Sequence, residues 1–190
     1  TLESGRWYDV RIEYYEHLGG ALAQFGWTRL KTNVLDEAVA AAKSADATVI
    51  FAGLSPLFEG EGFDRQNLKL PADHQELVEV VTRAVPNAVV VLNGGTPLEM
   101  DPWLDNAAAV VETWYAGQEG GNAVANVLFG KVNPSGKLAF TFPKKLEHNP
   151  SFGNYPGAEG VVHYKEGIFG GYRYYDSKNV EPLFPFGHGL

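Results

Sequence analysis

The segment ATVIFAGLSPLFEGEGFDR, residues 47–65, carries both a structural signal and a chemical one. Its first seven residues, 47–53, form a nearly continuous apolar run, which is typical of a short strand covered on both faces. Two later runs have the same character, AVVVLNGG at 88–95 and AAAVVETWY at 107–115. Each of them predicts a further buried strand.

Helical patterns separate these predicted strands. Asn33, with acidic residues three and four positions later, indicates a helix start. Asp73 with Glu76 predicts a capping box for a second helix, which ends before Pro86, and residues 118–129 predict a third. The apolar stripes of the first two helices comprise Leu35, Val39 and Ala42, and then Leu77, Val80, Val81 and Ala84.

Helices that alternate with buried strands predict the α/β class, as a layered α/β/α sandwich with a mostly parallel sheet. The segment GKLAFTFP, residues 136–143, is predicted to add one more strand. Beyond it the chain is rich in glycine, proline and aromatic residues, a composition that favours long ordered loops.

The N-terminal residues follow a different pattern. In WYDVRIEYY, residues 7–15, apolar and polar side chains alternate, which predicts a half-buried strand. A second alternating run at 21–27 follows two glycines, so that the two runs predict a β-hairpin. Two strands alone are marginal in water, and we therefore expect residues 1–32 to belong to a larger sheet and residues 33–190 to form the α/β domain.

Composition excludes several classes of function. The 190 residues have a formal net charge of -8 and no basic block, which excludes nucleic acid as a partner. No apolar run approaches the roughly 20 residues of a membrane helix, so that no membrane partner is expected. The chain has no cysteine, which excludes disulfides, thiolate nucleophiles and thiolate metal sites.

The predicted strands lead into three glycine-rich loops, at 54–65, 93–100 and 114–123. In open α/β sheets, ligands bind outside the carboxyl ends of the strands, where such loops converge. Glycines allow these loops to bend tightly and to approach a ligand closely. The three loops are therefore the predicted place of any functional site.

The first of these loops has the most informative chemistry. Gly60, between Glu59 and Glu61, and Gly62, after Glu61, favour a turn that presents one carboxyl group outward. A carboxylic acid on such a loop, in a partly desolvated cleft, can serve as a general acid and then as a base, as glycoside hydrolysis requires. The alternative from these residues alone is a set of solvated charges, with Asp64 paired to Arg65 to fix the loop.

Other chemistries lack their motifs. GEGFDR, residues 60–65, has arginine where a dinucleotide loop has its third glycine, and the Walker pattern and a nucleophilic-serine elbow are both absent. We expect no cofactor. The histidines show no paired ligand spacing, so no metal site is predicted and each is assigned a structural or surface role. They are His17, His74, His148, His163 and His188.

Longer blocks of the chain resemble a known family. GLSPLFEGEGFDRQNLKLP, WYAGQEGGNAVANVLFGKVNPSGKLAFTFP, YKEGIFGGYRYYD and PLFPFGHGL resemble the second, α/β-sandwich domain of glycoside hydrolase family 3, the β-glucosidase group. These blocks extend over about residues 50–190. The shorter N-terminal match, over residues 1–32, is similar to the closing strands of a protective-antigen-type β-sandwich that some members carry as an insert.

The resemblance implies a retaining β-glycosidase, whose carbohydrate substrate is a β-linked glucoside or oligosaccharide. In that family the nucleophilic Asp lies in a (β/α)8 barrel, which would be a partner domain of the same enzyme, and the acid/base Glu lies in the second domain. The family pattern Glu-Gly-aromatic-Asp-Arg places the acid/base on Glu61, with Glu59 as the fallback. It also implies that Phe63 faces the substrate cleft. The chain is then a segment of a larger enzyme and is expected to be inactive by itself.

The resemblance also leads to expectations about neighbouring residues. Asp64 and Arg65 are expected to hold the loop together, with Asp64 keeping the guanidinium of Arg65 away from Glu61. Trp114 is interpreted as either a sugar platform or a lid on the core. Glu119 is interpreted as a structural carboxylate near a helix start.

Two further functions remain as alternatives at this stage. The same sandwich with its aromatic loops also fits a non-catalytic carbohydrate-binding module. A flavodoxin-like cofactor binder is the weaker alternative.

Overall fold

A computed structural model describes residues 2–3, 5–15, 23, 25–26 and 34–190 of the chain. The chain divides into two compact units, Thr1–Thr32 and Asn33–Leu190. The second unit contains all the helices and strands given below.

A parallel three-stranded sheet forms the centre of the second unit. The strands are β1 (Val49–Gly53), β2 (Val89–Asn93) and β3 (Ala109–Glu112), in the order β1-β2-β3. Val49 pairs with Val89 and Val89 with Ala109, so that the three strands run in register toward one edge. The predicted strands and the predicted parallel α/β arrangement are thus confirmed.

Four helices accompany the sheet within the described residues. α1 and α2 contact each other, and α2 also packs on β1. The buried side of α2 includes Val78, Val81 and Thr82, of which only Val81 belongs to the predicted apolar stripe. The helices are α1 (Val34–Ser44), α2 (Ala72–Ala84), α3 (Gly120–Leu128) and α4 (Tyr172–Lys178), with single 3-10 turns at Leu104–Asn106 and Leu146–His148.

The predicted starts of the first two helices have different outcomes. The capping box of Asp73 with Glu76 is wrong, because α2 begins at Ala72 after Pro71 and no side chain caps it. Asp73 lies inside the first turn, where its charge still suits the helix dipole. Asn33, the predicted start of α1, lies outside the described residues.

The core lies on the helix-covered side of the sheet and below the loop that follows β2. Val90 and Leu92 of the central strand are fully buried, together with Leu98, Met100 and Trp103. Because a buried aromatic ring and several aliphatic side chains leave water together here, this cluster is the main apolar contribution to the stability of the unit.

One face of β1 departs from the prediction. The strand alternates between buried and exposed residues, and Phe51 is 64% exposed. The expectation of burial on both faces is therefore wrong for β1, because the described residues cover only the face that bears Ile50 and Ala52. An apolar run alone does not distinguish a strand with two covered faces from an apolar strand with one.

The region after α3 is mostly loop, as predicted. The strand predicted at 136–143 is wrong, because this segment forms only a single bridge, between Phe142 and Phe184. Phe142 is buried, and its ring packs edge-on with the rings of Trp114 and Phe184. Aromatic packing thus fixes this part of the chain without an extended ladder of hydrogen bonds.

The predicted N-terminal hairpin is not formed by the described residues. Residues 7–15 have no strand assignment and are exposed, with Trp7 97% accessible. Residues 16–22, which would form the turn, lie outside the description, as do several residues of the second predicted strand. A strand without a paired neighbour has no partner for its backbone groups, and the inserted β-sandwich therefore stays a prediction.

Within the described part of the chain, no helix has the length and apolar character that crossing a bilayer requires.

Gly53, at the end of β1, provides a test of the sheet register. A Cβ atom at this position would lie 2.1 Å from the carbonyl oxygen of Asn93, and this oxygen is fixed by its hydrogen bond from the Leu54 N–H. We predict that Gly53→Ala lowers the free energy of unfolding by about 3 kcal/mol, because the two strands must separate. Urea unfolding of the chain measures this change.

Gly62→Ala is the matched control, since a Cβ atom there meets nothing within 4 Å. Equal unfolding free energies for the two alanine variants would contradict the observed approach of β1 to β2.

Candidate active site

The ends of β1 and β2 open into a cavity of about 520 Å³. It lies at the carboxyl edge of the sheet, where the sequence predicts a site. The loop after β1 contributes most of its wall, and single residues from the loops after β2 and β3 complete it. The lining residues are Leu54, Pro56, Glu59, Gly60, Glu61, Gly95 and Tyr115.

Glu59 joins these three loops. Its carboxylate accepts a hydrogen bond of 2.8 Å from the backbone N–H of Gly95, in the loop after β2. It also accepts a hydrogen bond from the hydroxyl group of Tyr115, in the loop after β3. One side chain therefore links the loop after β1 to those after its two neighbouring strands.

The same contacts keep Glu59 ionised. Partial burial acts to raise the pKa of Glu59, but hydrogen bonds from Tyr115, Gly95 and Thr96 and the charge of Arg65 outweigh it. The pKa of Glu59 is therefore held below its ordinary value. The pKa of the Tyr115 hydroxyl is in turn raised, chiefly by its hydrogen bond to Glu59.

Gly95 allows the approach on which this network depends. A Cβ atom at position 95 would lie 2.8 Å from the Tyr115 ring and 3.3 Å from a carboxylate oxygen of Glu59. Any larger residue would have to displace one of these two groups. The close approach of Tyr115 and Glu59 therefore requires a glycine at position 95.

Glu61 lies two residues further along, on the wall of the same cavity. A backbone bridge between Gly60 and Phe63 closes a tight turn, with Glu61 and Gly62 at its tip. Glu61 is exposed, and no hydrogen bond to its side chain is formed by the residues that the structure describes. Of the two glutamates, Glu59 has its carboxylate hydrogen-bonded within the protein, whereas the carboxyl group of Glu61 is available to a ligand.

Phe63 does not line the cavity that contains Glu61. Its ring lies over Gly60, where an added Cβ atom would be 2.9 Å away, and it is 48% exposed. It lines a second cavity of about 730 Å³, which Phe58 and Arg65 also line. Contact between Phe63 and a substrate stays a prediction.

Asp64 and Arg65 hold the loop, but not by pairing with each other. The Arg65 guanidinium donates to the Thr96 hydroxyl at 2.5 Å and to the Lys69 carbonyl at 2.8 Å. Asp64 accepts a hydrogen bond of 3.0 Å from the hydroxyl of Tyr155. The expected Asp64–Arg65 pair is therefore wrong, because each side chain is directed to a different, more distant segment.

The two aromatic residues after β3 have separate roles. Trp114 is partly buried and packs edge-on against Phe140 and Phe142, with ring centroids 5.1 and 5.9 Å apart. This packing favours the core-lid interpretation of Trp114. The sequence placed Tyr115 after a strand end but left its role open, and in the structure its hydroxyl group contacts Glu59.

Two further predicted residues have structural contacts. Glu119 precedes α3 and accepts a hydrogen bond of 2.7 Å from the Asn122 side chain, as a carboxylate near a helix start does. His74 Nδ1 lies 3.1 Å from the Gly53 carbonyl oxygen and ties α2 to the end of β1. Among the described residues, no group of three or more His, Asp or Glu side chains is placed to hold a metal ion.

Glu112, the last residue of β3, is partly buried, and one of its carboxyl oxygens is fully buried. Burial raises its pKa to about 7, and the charge of Glu59 adds to this, although hydrogen bonds from the N–H groups of Trp114 and Thr113 act in the opposite direction. The Trp114 N–H lies 3.0 Å from one carboxyl oxygen. Near neutral pH this group is therefore poised between its two protonation states.

The fold and site define an α/β-sandwich domain with an acidic loop at the carboxyl edge of its sheet. The profile of the glycosyl hydrolase family 3 C-terminal domain matches residues 3–190. The chain belongs to glycosyl hydrolase family 3.

Individual relatives agree with this assignment. Thermostable beta-glucosidase B of Acetivibrio thermocellus is 55% identical over 157 residues, which cover 83% of this chain and 21% of that protein. The crystal structure of the Kluyveromyces marxianus beta-glucosidase in complex with glucose matches with a TM-score of 0.79 at 47% identity, over 82% of this chain and 19% of that one. The Bifidobacterium adolescentis GH3 beta-glucosidase matches with a TM-score of 0.80 at 46% identity, over 87% and 24%. The chain thus spans about a fifth to a quarter of the length of these relatives.

The hydrogen bond between Tyr115 and Glu59 can be tested directly. We predict that Tyr115→Phe raises the pKa of Glu59, because a hydrogen bond to the ionised carboxylate is lost. The carboxyl ¹³C shifts of glutamate-labelled chain, followed against pH, report this change. Tyr172→Phe is the control, since Tyr172 only stacks on Phe186 and its ring is retained; an unchanged Glu59 titration in Tyr115→Phe would contradict the network.

Glu112 predicts a pH dependence of stability. Because its folded pKa of about 7 lies above its ordinary 4.5, the folded state binds more protons than the unfolded state between these values. Its contribution is fully present below about pH 4.5 and decreases as pH rises to 7, by about 3 kcal/mol in total. Unfolding free energies of the wild type and Glu112→Gln at pH 4.5 and pH 8 measure it.

The Gln variant should gain on the wild type as pH rises through this window, because it carries no titrating group. Parallel curves for the two proteins would show that Glu112 is not perturbed.

Proposed function

We propose that the protein containing this chain is a retaining β-glucosidase that hydrolyses terminal β-glucosides or related β-glycosides. Glu61 is its general acid/base, and the nucleophilic Asp comes from a (β/α)8 barrel domain outside these residues. The observation that carries this proposal is the division between the two loop glutamates. Glu59 is bound by donors from two neighbouring loops, whereas Glu61 stands free on the wall of the same cavity.

The chemistry of a general acid favours Glu61 over Glu59. A group that protonates a leaving oxygen must itself hold a proton before the reaction. The pKa of Glu59 lies below its ordinary value, so Glu59 stays ionised and has no proton to give. Its Oε2 oxygen moreover accepts hydrogen bonds from both the Gly95 N–H and the Tyr115 hydroxyl.

In the first step, Glu61 gives its proton to the departing glycosidic oxygen while the barrel Asp attacks the anomeric carbon. The aglycone leaves, and a glycosyl–enzyme ester remains on the Asp. In the second step, Glu61 takes a proton from a water molecule, whose oxygen attacks the anomeric carbon and releases the sugar. A retaining mechanism requires the two carboxyl groups to be about 5–5.5 Å apart, so the loop tip must reach into the barrel's site.

The rest of the loop supports the position of Glu61. Arg65 ties the loop to Thr96 and Lys69, and Asp64 ties it to Tyr155. Phe63 closes the turn by its backbone bridge to Gly60. Its ring is exposed and therefore available to contact a substrate. The names of the relatives, which are β-glucosidases, support the substrate class.

A kinetic experiment in the full-length protein distinguishes the two glutamates. We predict that Glu61→Ala lowers kcat/KM for an alkyl β-glucoside by about 10²–10⁴-fold. A dinitrophenyl β-glucoside should lose far less in the glycosylation step, because its leaving group needs no proton. Added azide should restore turnover and yield β-glucosyl azide, since it attacks without a general base.

Glu59→Ala is the matched control. It should lower kcat/KM for the alkyl β-glucoside less than Glu61→Ala does and show no response to azide, because Glu61 is still present as the general acid and base. Azide rescue of Glu59→Ala and not of Glu61→Ala would reverse the assignment. Carbohydrate binding without hydrolysis in the full-length wild type would instead favour the non-catalytic binding module.

A further inference from the structure

The turn that follows β3 is strained at Trp114. This residue has a φ of +52°, in the left-handed region that bulky side chains rarely adopt. Such a conformation is unfavourable for a bulky residue and persists only where surrounding contacts fix it. The neighbours of Trp114 therefore determine where the next residue, Tyr115, is directed.

Three contacts fix the Trp114 turn. The Asn93 side-chain amide donates a hydrogen bond to the Trp114 carbonyl oxygen. The Trp114 ring packs edge-on against Phe140 and Phe142. The Trp114 N–H donates a hydrogen bond of 3.0 Å to the Glu112 carboxyl group. Of the three contacts, this is the one that involves the backbone N–H of Trp114.

Glu112 is otherwise hard to explain as a structural residue. It is partly buried, and its second carboxyl oxygen is buried without a hydrogen-bond partner among the described residues. A half-satisfied buried carboxyl group destabilises a fold relative to an apolar side chain of the same size. A carboxyl group at the end of β3 must therefore have a local role that offsets this destabilisation.

We propose that Glu112 is a positioning residue for the acid/base loop, because its carboxyl group holds the Trp114 turn and thereby places the Tyr115 hydroxyl on Glu59. The path runs from Glu112 to the Trp114 N–H, through the left-handed turn to Tyr115, and from the Tyr115 hydroxyl to Glu59. Glu59 lies two residues before Glu61. The inference rests on the function proposed above for Glu61.

What this role requires of Glu112 is a hydrogen-bond acceptor, and not a charge. Of the ionisable groups around it, Glu59 is the one whose charge acts on it appreciably, and this charge favours the neutral form of Glu112. A glutamine at position 112 retains a carbonyl oxygen at nearly the same place. Leucine removes the acceptor and keeps the approximate volume.

The test uses the full-length protein and two readouts. In Glu112→Leu, the pKa of the Tyr115 hydroxyl should fall toward its ordinary value, because the hydroxyl group no longer meets ionised Glu59. Tyrosinate absorbance followed against pH measures the pKa of Tyr115. The titration of the same protein with the additional Tyr115→Phe substitution is subtracted to remove the other tyrosines. The kcat for an alkyl β-glucoside should fall about ten- to a hundredfold with little change in KM, as a displaced acid/base requires.

Glu112→Gln should retain both the raised Tyr115 pKa and wild-type kcat. Glu79→Leu is the matched control, because Glu79 is also partly buried and accepts one hydrogen bond, from Gln75 on α2, away from the loops. It should leave both readouts unchanged. A purely structural role of Glu112 would lower stability in Glu112→Leu without moving the Tyr115 titration.

An unchanged Tyr115 pKa in Glu112→Leu would overturn the proposal. So would a lowered Tyr115 pKa in Glu112→Gln, which tests the proposal even where the leucine variant does not fold. Because the tyrosine titration needs no turnover, it remains informative if the wild type hydrolyses no β-glucoside, which would refute the proposed function alone.

Discussion

The Glu59 carboxylate is the contact on which the rest of the site depends. It accepts from the Gly95 N–H in the loop after β2 and from the Tyr115 hydroxyl in the loop after β3, while it belongs itself to the loop after β1. The parallel sheet makes this possible, because its three strands end at one edge and bring three loops within reach of one side chain. Asp64 and Arg65 add further ties from this loop to Tyr155, Thr96 and Lys69.

This contact gives the two loop glutamates different chemistry despite their spacing of two residues. Hydrogen bonds and a nearby guanidinium stabilise the ionised form of Glu59, so that it serves as a structural anion. Glu61 lies beyond it on a glycine-flanked turn, exposed at the cavity wall. Binding one carboxylate tightly thus leaves the next one available, which is the arrangement that the proposed mechanism needs.

Much of this arrangement could be predicted from sequence. The apolar runs located all three strands, and the loops that follow them contain every residue of the cavity. The family pattern selected Glu61, but it did not show what holds Glu59. That depends on Tyr115 and Gly95, which are 56 and 36 residues distant and come near only through strand pairing.

Other misses have equally local causes. Asp64 and Arg65 are adjacent in sequence and of opposite charge, which suggested a pair, whereas tertiary contacts gave each a different partner. The strand predicted at 136–143 had a suitable composition, but the segment buries Phe142 in the core and forms only a single bridge, to Phe184. The burial of Glu112 was also not predictable, because a charged residue at a strand end is ordinarily exposed.

The most direct measurement is a crystal structure of the full-length enzyme with its nucleophile inactivated and a β-glucoside bound. We predict that the Glu61 carboxyl group lies about 2.6–3.2 Å from the glycosidic oxygen, while Glu59 still accepts from the Gly95 N–H. A structure in which Glu59 has left Gly95 and contacts the glycosidic oxygen, with Glu61 directed to solvent, would contradict this account.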